Sequence, residues 1–144
     1  MSKTDHKANT KHFVESYNKG RASAMTMIDE FYATDLVFHN ATGKDLHGTK
    51  EFKQMINGLF DAFPDGRMTL DDVFSEGDKV AVRYTMSGTH KGQYMGVPPT
   101  NKKVTVSLTS ISRSAGGKIK EVWQTYDTFG VMQQLGVAPK PKGK

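Results

Sequence analysis

The chain has 144 residues and no cysteine. That is room for one domain with a core that needs no disulfide, and it excludes a thiolate metal site or a cysteine nucleophile. The net charge of +5 sits at the two ends, in Lys3, Lys7, Lys11, Lys140, Lys142 and Lys144, leaving 14 basic against 14 acidic residues from His12 to Pro139. The body therefore carries no excess of positive charge to track phosphates, and nucleic acid is not an expected partner.

The start, MSKTDHKANTKHF, has no apolar run of signal-peptide length, and no apolar stretch approaches 18 residues. The expectation is a soluble, cytoplasmic protein with no membrane role. A single domain is expected over 12–137, between a flexible basic segment 1–11 and a basic tail 138–144.

A first helix is predicted through HKANTKHFVESYN, stopping at Gly20, and a second through SAMTMIDEFYA, capped by Ser23. A short strand, LVFHN, follows, then a loop, KDLHG. In TKEFKQMINGLFDAFP the residues Phe52, Met55, Ile56, Leu59, Phe60 and Phe63 recur at helical spacing, with Thr49 as cap and Pro64 as stop. From Met68 the period changes to two. MTLDDVFS, KVAVRYTMSGTH, KVTVSLTSISR and KIKEVWQTYD read as strands joined by the turn chemistry of EGD, KGQYMGVPPTN and SAGG.

Helices early and antiparallel strands late give an α+β fold, with helices packed on one face of a strongly curved sheet and a pocket between them. On KVAVRYTMSGTH the dry face is Val80, Val82, Tyr84, Met86, Gly88 and His90. On KIKEVWQTYD, strict alternation groups Ile119, Trp123, Thr125 and Asp127, with Val122, Gln124 and Tyr126 opposite. Trp123 is expected to face the pocket and to bring Asp127 with it, unless a bulge intervenes.

A desolvated carboxylate beside aromatics has a raised pKa and can exchange protons near neutrality. The alternative is that Asp127 only caps the helix starting near Thr128. Of the histidines, His6 and His12 are expected in solvent and His47 in a loop. His39 and His90 are the two better placed for a pocket; the expectation for either is a satisfied structural histidine, and the alternative is an acid-base pair with Asp127. No pair of histidines stands at ligand spacing, so no metal is expected. G-x-S-x-G, Walker and G-x-G-x-x-G motifs are absent, which leaves chemistry without a covalent nucleophile or a dinucleotide.

The runs FYATDLVFHN, LHGTKEFKQMINGLFDAFPD, EGDKVAVRYTMSGTHKGQYMGVPPTNKKV and GKIKEVWQTYDTFGVMQQLG resemble the SnoaL-like polyketide cyclases of the nuclear transport factor 2-like superfamily. The resemblance covers roughly Phe13 to Gly136. It implies a cone-shaped α+β barrel, commonly dimeric, that closes a ring in a polyketide ester by intramolecular aldol condensation with no metal or cofactor. It also implies that Asp127, in its W-x-x-x-D context, is the acid/base. His39 and His90 then become supporting contacts, and Tyr84, Met95, Trp123, Phe60 and Asn40 substrate-binding positions. Two departures stand out. Asn101 replaces a glycine after PPT, a position where Asn still tolerates positive φ. Asn40 stands where ketosteroid isomerases have their catalytic Asp, and an amide cannot serve as a base. The alternatives are a hydrophobic-ligand or interaction module, or a small hydrolase using the same Asp.

Overall fold

A computed structural model of the chain describes residues 6–138. The expectations for residues 1–5, for the side chain of His6 and for 139–144 lie outside the described residues. Two helices lead, α1 (His6–Lys19) and α2 (Arg21–Phe31), broken at Gly20 as expected. α1 begins inside the segment set apart as a flexible end, and Asn9 is buried, so the packed domain reaches beyond residue 12 toward the N-terminus.

Strands β1 (Tyr32–His39) and β2 (Asp45–His47) come next, then α3 (Gly48–Ala62). β3 (Arg67–Glu76), β4 (Lys79–Thr89), β5 (Lys103–Ala115) and β6 (Lys118–Tyr126) follow, and α4 (Thr128–Leu135) ends the order. No helix among the described residues is long and apolar enough to cross a membrane.

Three local readings change. α2 starts two residues before Ser23, with Gly20 at its N-cap and no side-chain cap. KDLHG is a strand, because Leu46 and His47 pair with Phe38 and Val37 of β1. At the start of α3 the cap is not Thr49. Glu51 reaches back to accept the backbone N–H of His47 at 3.0 Å, which satisfies an amide the helix leaves free.

The sheet order is β2-β1-β6-β5-β4-β3, antiparallel throughout except where β1 runs parallel to β6. It is α+β as expected, with β2 and β3 left as edges. The stripe of α3 packs on the inner face of this sheet. Phe52 lies 4.9 Å from the ring of Tyr32 and 5.1 Å from that of Phe38. Burying an aromatic side chain this fully contributes about 2–3 kcal/mol.

α4 closes one end, with Val131 and Leu135 packed on Val104 of β5. Gln134 fixes it there by accepting from the Thr105 amide at 2.8 Å and donating to the Thr105 carbonyl at 2.9 Å.

β6 is where strict alternation fails. Ile119 pairs with Ser114 and Glu121 with Arg113, so Lys120 is an extra residue. The bulge lets Ile119 and Val122 both face the core. Beyond it Gln124 and Tyr126 turn inward, and Trp123 and Thr125 turn outward. The expectation that Trp123 faces the pocket is corrected accordingly.

His39 also lies on the outer side. Its Nδ1 is 2.9 Å from Asp45 and its Nε2 is 2.7 Å from Glu121, with Trp123 stacked at 5.5 Å. Both ring nitrogens meet carboxylates, so both donate and the ring is an imidazolium. The bond to Glu121, then the one to Asp45, raises the His39 pKa above its usual value. A raised folded pKa stabilises below the unfolded value of about 6.5, and that contribution is lost as pH rises through the folded one. Urea unfolding of wild type and His39→Gln should show a stability gap that is largest on the acidic side and closes toward alkaline pH. A gap independent of pH would rule this clamp out.

Candidate functional site

The space between the concave sheet and α1 and α3 is a cavity of about 400 Å³. That suits a drug-sized ligand. β4 offers Val82, Tyr84 and Met86, the dry face expected of it, and β5 offers Val106, Leu108, Ser110 and Ser112. The exposed residues Thr42, Gln93 and Met95 are also on the lining and mark its mouth.

Among the described residues, no carboxylate, histidine, lysine or arginine lines this cavity. Its polar groups are phenols, amides and hydroxyls. Gln124 donates from Nε2 to the Tyr84 hydroxyl at 2.8 Å, which leaves the Tyr84 proton free to donate elsewhere. The hydroxyls of Tyr94 and Tyr126 are 3.0 Å apart, so one proton is shared between them and the other is available to a ligand. Tyr84 and Tyr126 both pair with Leu108 from opposite sides. They stand on one row of the floor, two strand spacings or about 10 Å apart.

Burial pushes the Tyr84 phenol up to about 12, against a smaller lowering by the Gln124 bond. Burial raises Tyr94 further, with the Tyr126 charge adding to it. These phenols therefore remain protonated donors at working pH.

Tyr94 reaches the cavity from the strap between β4 and β5. The strap is tied at its base by the His90 amide to the Lys102 carbonyl and by the Asn101 amide to the His90 carbonyl, both 2.9 Å. At its tip Tyr94 and Val97 exchange backbone bonds of 3.0 and 2.8 Å around Met95 and Gly96, both at positive φ. Asn101 adopts φ 61°, the conformation that a glycine would take at that position.

Of the residues singled out by sequence, Tyr84, Met95 and Asn40 line the cavity. Phe60 instead stacks on Tyr17 at 4.4 Å, away from the lining. His90 is wholly buried but behind the wall. Its Nδ1 accepts the Thr100 amide at 3.2 Å and its ring lies against Phe63, so it holds the strap and faces no cavity space. His39 is in the outer clamp.

Asp127 is exposed, and its Oδ1 accepts the Gly130 amide at 2.8 Å as the N-cap of α4. It is not brought together with His39 or His90. Asp127→Ala should cost about 1 kcal/mol of stability through the lost cap, while Asp127→Asn should keep it. Equal loss in the two variants by thermal melting would remove the cap assignment.

Sequence reasoning missed Gln124, Tyr94 and Tyr126. The bulge at Lys120 put the first and third on the wrong face, and Tyr94 sits in a loop with no period to read. Among the described residues no group of three or more His, Asp or Glu could hold a metal ion.

Residues 10–135 match the family described as SnoaL-like polyketide cyclase. The nogalonic acid methyl ester cyclase of Streptomyces nogalater is 26% identical over 125 residues, covering 85% of this chain and 91% of that protein. The aklanonic acid methyl ester cyclase DauD of Streptomyces sp. strain C5 is 27% identical over 134 residues, 90% of this chain and 81% of its own. Among solved structures, AclR from Streptomyces galilaeus, a candidate hydroxylase, superposes with a TM-score of 0.80 at 28% identity, over 96% of this chain and all of that one. With the match spanning most of the domain that forms the cavity, this chain belongs to the SnoaL-like polyketide cyclase family.

Proposed function

We propose that this chain binds a small, uncharged, largely apolar carbonyl compound of the polyketide-ester kind and closes a ring in it by intramolecular aldol chemistry, without metal or cofactor. The observation that carries this reading is the row of neutral phenol donors, Tyr84 and the Tyr94–Tyr126 pair, on an otherwise apolar floor.

A C–H between two carbonyls is acidic enough to ionise with modest help. The enolate carbon then attacks a second carbonyl carbon, one C–C bond forms, and the C=O becomes an alkoxide. The proton lost from carbon returns to that oxygen, so the product is an isomer of the substrate. The cavity contributes folding of the chain, exclusion of bulk water and hydrogen bonds to the enolate and alkoxide oxygens. The proton exchanges with solvent at the mouth, near Thr42, Gln93 and Met95.

In this reading Asp127 is a cap and His39 and His90 are structural, which departs from the acid/base role that the resemblance implies. The test is incubation with nogalonic or aklanonic acid methyl ester. A product of unchanged mass with one ring more is expected. Tight binding without product, or a product heavier by one oxygen, would overturn the cyclase reading.

The same reading includes a homodimer through the outer face of the sheet. Phe74, Ala81, Ile111 and Trp123 pair in one row across β3 to β6, with Phe74, Ile111 and Trp123 exposed. The rows beside it carry Asp72 with Arg83, and Arg113 with Glu121, charges that can meet their opposites in a second copy related by a two-fold axis. Light scattering at micromolar concentration should give twice the chain mass and Ile111→Lys the single mass. A wild-type monomer would remove the proposal.

A further inference from the structure

The strap between β4 and β5 breaks a local rule at its tip. Tyr94 and Val97 exchange backbone bonds, and the residues between them, Met95 and Gly96, take φ of 49° and 77°. A tight turn with positive φ at both central positions favours Asn, Asp or Gly in the first of them, because a longer side chain strains the backbone there. Gly96 suits the second position. Met95 does not suit the first, and a strained residue that the turn itself does not require points to a use for its side chain.

Met95 lines the mouth of the cavity and is 46% exposed, so one thioether arm borders both the cavity and solvent. Among the other methionines of the described residues, Met27 and Met68 are buried, and Met25, Met55, Met86 and Met132 are half-buried. Met95 is therefore the thioether that a dissolved oxidant meets first. A thioether is apolar and polarisable and packs on apolar or aromatic surface. Its sulfoxide is polar and bonds to water, so the oxidised arm no longer contributes apolar surface to the mouth.

We propose that Met95 is an oxidation site that sets how firmly the cavity holds an apolar ligand. The oxidant is hydrogen peroxide. The sulfur lone pair attacks one peroxide oxygen, the O–O bond breaks as the S–O bond forms, and the other oxygen leaves as water with both protons. Sulfur loses two electrons and the peroxide gains them. A methionine sulfoxide reductase supplied with a dithiol reverses the step: the dithiol becomes a disulfide and the oxygen leaves as water. The reduced arm covers the part of the ligand at the mouth, and the oxidised arm turns to solvent and leaves that part wet. This rests on the reading of the cavity as the site of a neutral, apolar compound, and it adds a chemical control at the mouth.

The probe for the test is Nile red, an uncharged aromatic dye whose emission rises in apolar surroundings. The full chain is treated with dilute peroxide and mapped by peptide mass. The dye's dissociation constant is measured before and after treatment for wild type, Met95→Leu and Met95→Gln. The peptide carrying Met95 should gain one oxygen ahead of those carrying Met25, Met27, Met55, Met68, Met86 and Met132. Treated wild type should hold the dye roughly 3–10-fold less tightly, and sulfoxide reductase with dithiothreitol should restore the first value. Met95→Leu, which has no sulfur there, should give the same constant before and after treatment. Untreated Met95→Gln, whose amide stands in for the sulfoxide, should bind as weakly as oxidised wild type.

Oxidation that begins at another of those methionines overturns the proposal, as does an unaltered dye constant in treated wild type. So does an equal loss in treated Met95→Leu, since the effect would then arise elsewhere. If the dye binds no form of the protein, the proposal falls together with the reading of the cavity as an apolar-ligand site. Ring closure of nogalonic acid methyl ester with no effect of oxidation on the dye removes this inference alone. The oxidation effect without ring closure removes the cyclase reading alone.

Discussion

Gly92→Ala should lower stability by about 3 kcal/mol and weaken ligand binding with it. A Cβ at Gly92 would sit 2.3 Å from the Asp61 carbonyl oxygen and 2.9 Å from its carbon, both backbone atoms at the end of α3 that cannot swing aside. Making room means lifting the strap from α3. The Lys91 and Gly92 amides both donate to the Ala62 carbonyl, at 2.8 and 3.1 Å, and would lose those bonds together. Tyr94, two residues on, would move with them and leave Tyr126. Gly96→Ala is the control. It meets nothing within 4 Å but has φ 77°, so only the backbone cost of about 1 kcal/mol is expected. Urea denaturation of both variants checks this, and equal losses would show that the close approach to Asp61 is not what requires the glycine.

Replacing both hydroxyls of the Tyr94–Tyr126 pair with hydrogen, in Tyr94→Phe with Tyr126→Phe, should reduce turnover of a polyketide methyl ester about 100-fold with a smaller change in KM. Removing a preorganised donor to a developing oxyanion has effects of this size, because the bond strengthens as charge builds. Each single variant retains one phenol able to donate, so the singles should lose less than the double. Because burial pushes the Tyr84 and Tyr94 phenols up from their usual range, kcat/KM of the wild type should be flat between about pH 5 and 8. A rate that falls with a group titrating near pH 6 would point to a carboxylate or histidine and overturn the phenol assignment. Asp127→Asn, which keeps the cap, should retain turnover.

The helical stripe and the strands after Met68 are legible because each is written in local periodicity. Phe52, Met55, Ile56 and Leu59 recur at helical spacing, and the inner face of β4 from Val80 to Gly88 alternates without interruption. The neighbouring strand shows where this reading stops. Nothing in KIKEVWQTYD marks Lys120 as an extra residue, because the bulge is a property of the pairing between β6 and β5 at Arg113 and Ser114. One residue of slip moves every later side chain to the opposite face. Trp123 left the expected pocket and Gln124 and Tyr126 entered it.

The histidines follow the same logic. His39 is defined by carboxylates six and 82 positions away, and His90 by a strap that closes on Thr100.

Taken alone, the sequence determined the class of fold, the dry concave wall and the lack of any excess charge on the body, because composition and short-range period carry those directly. Tertiary structure alone decided which polar groups line the cavity. Those groups are phenols and amides from β4, β6 and the strap, distant in the chain and brought to one cavity by strand register and backbone bonds. Asp127 was the most visible charge in its stretch, but the start of α4 holds it outside that cavity, on the Gly130 amide.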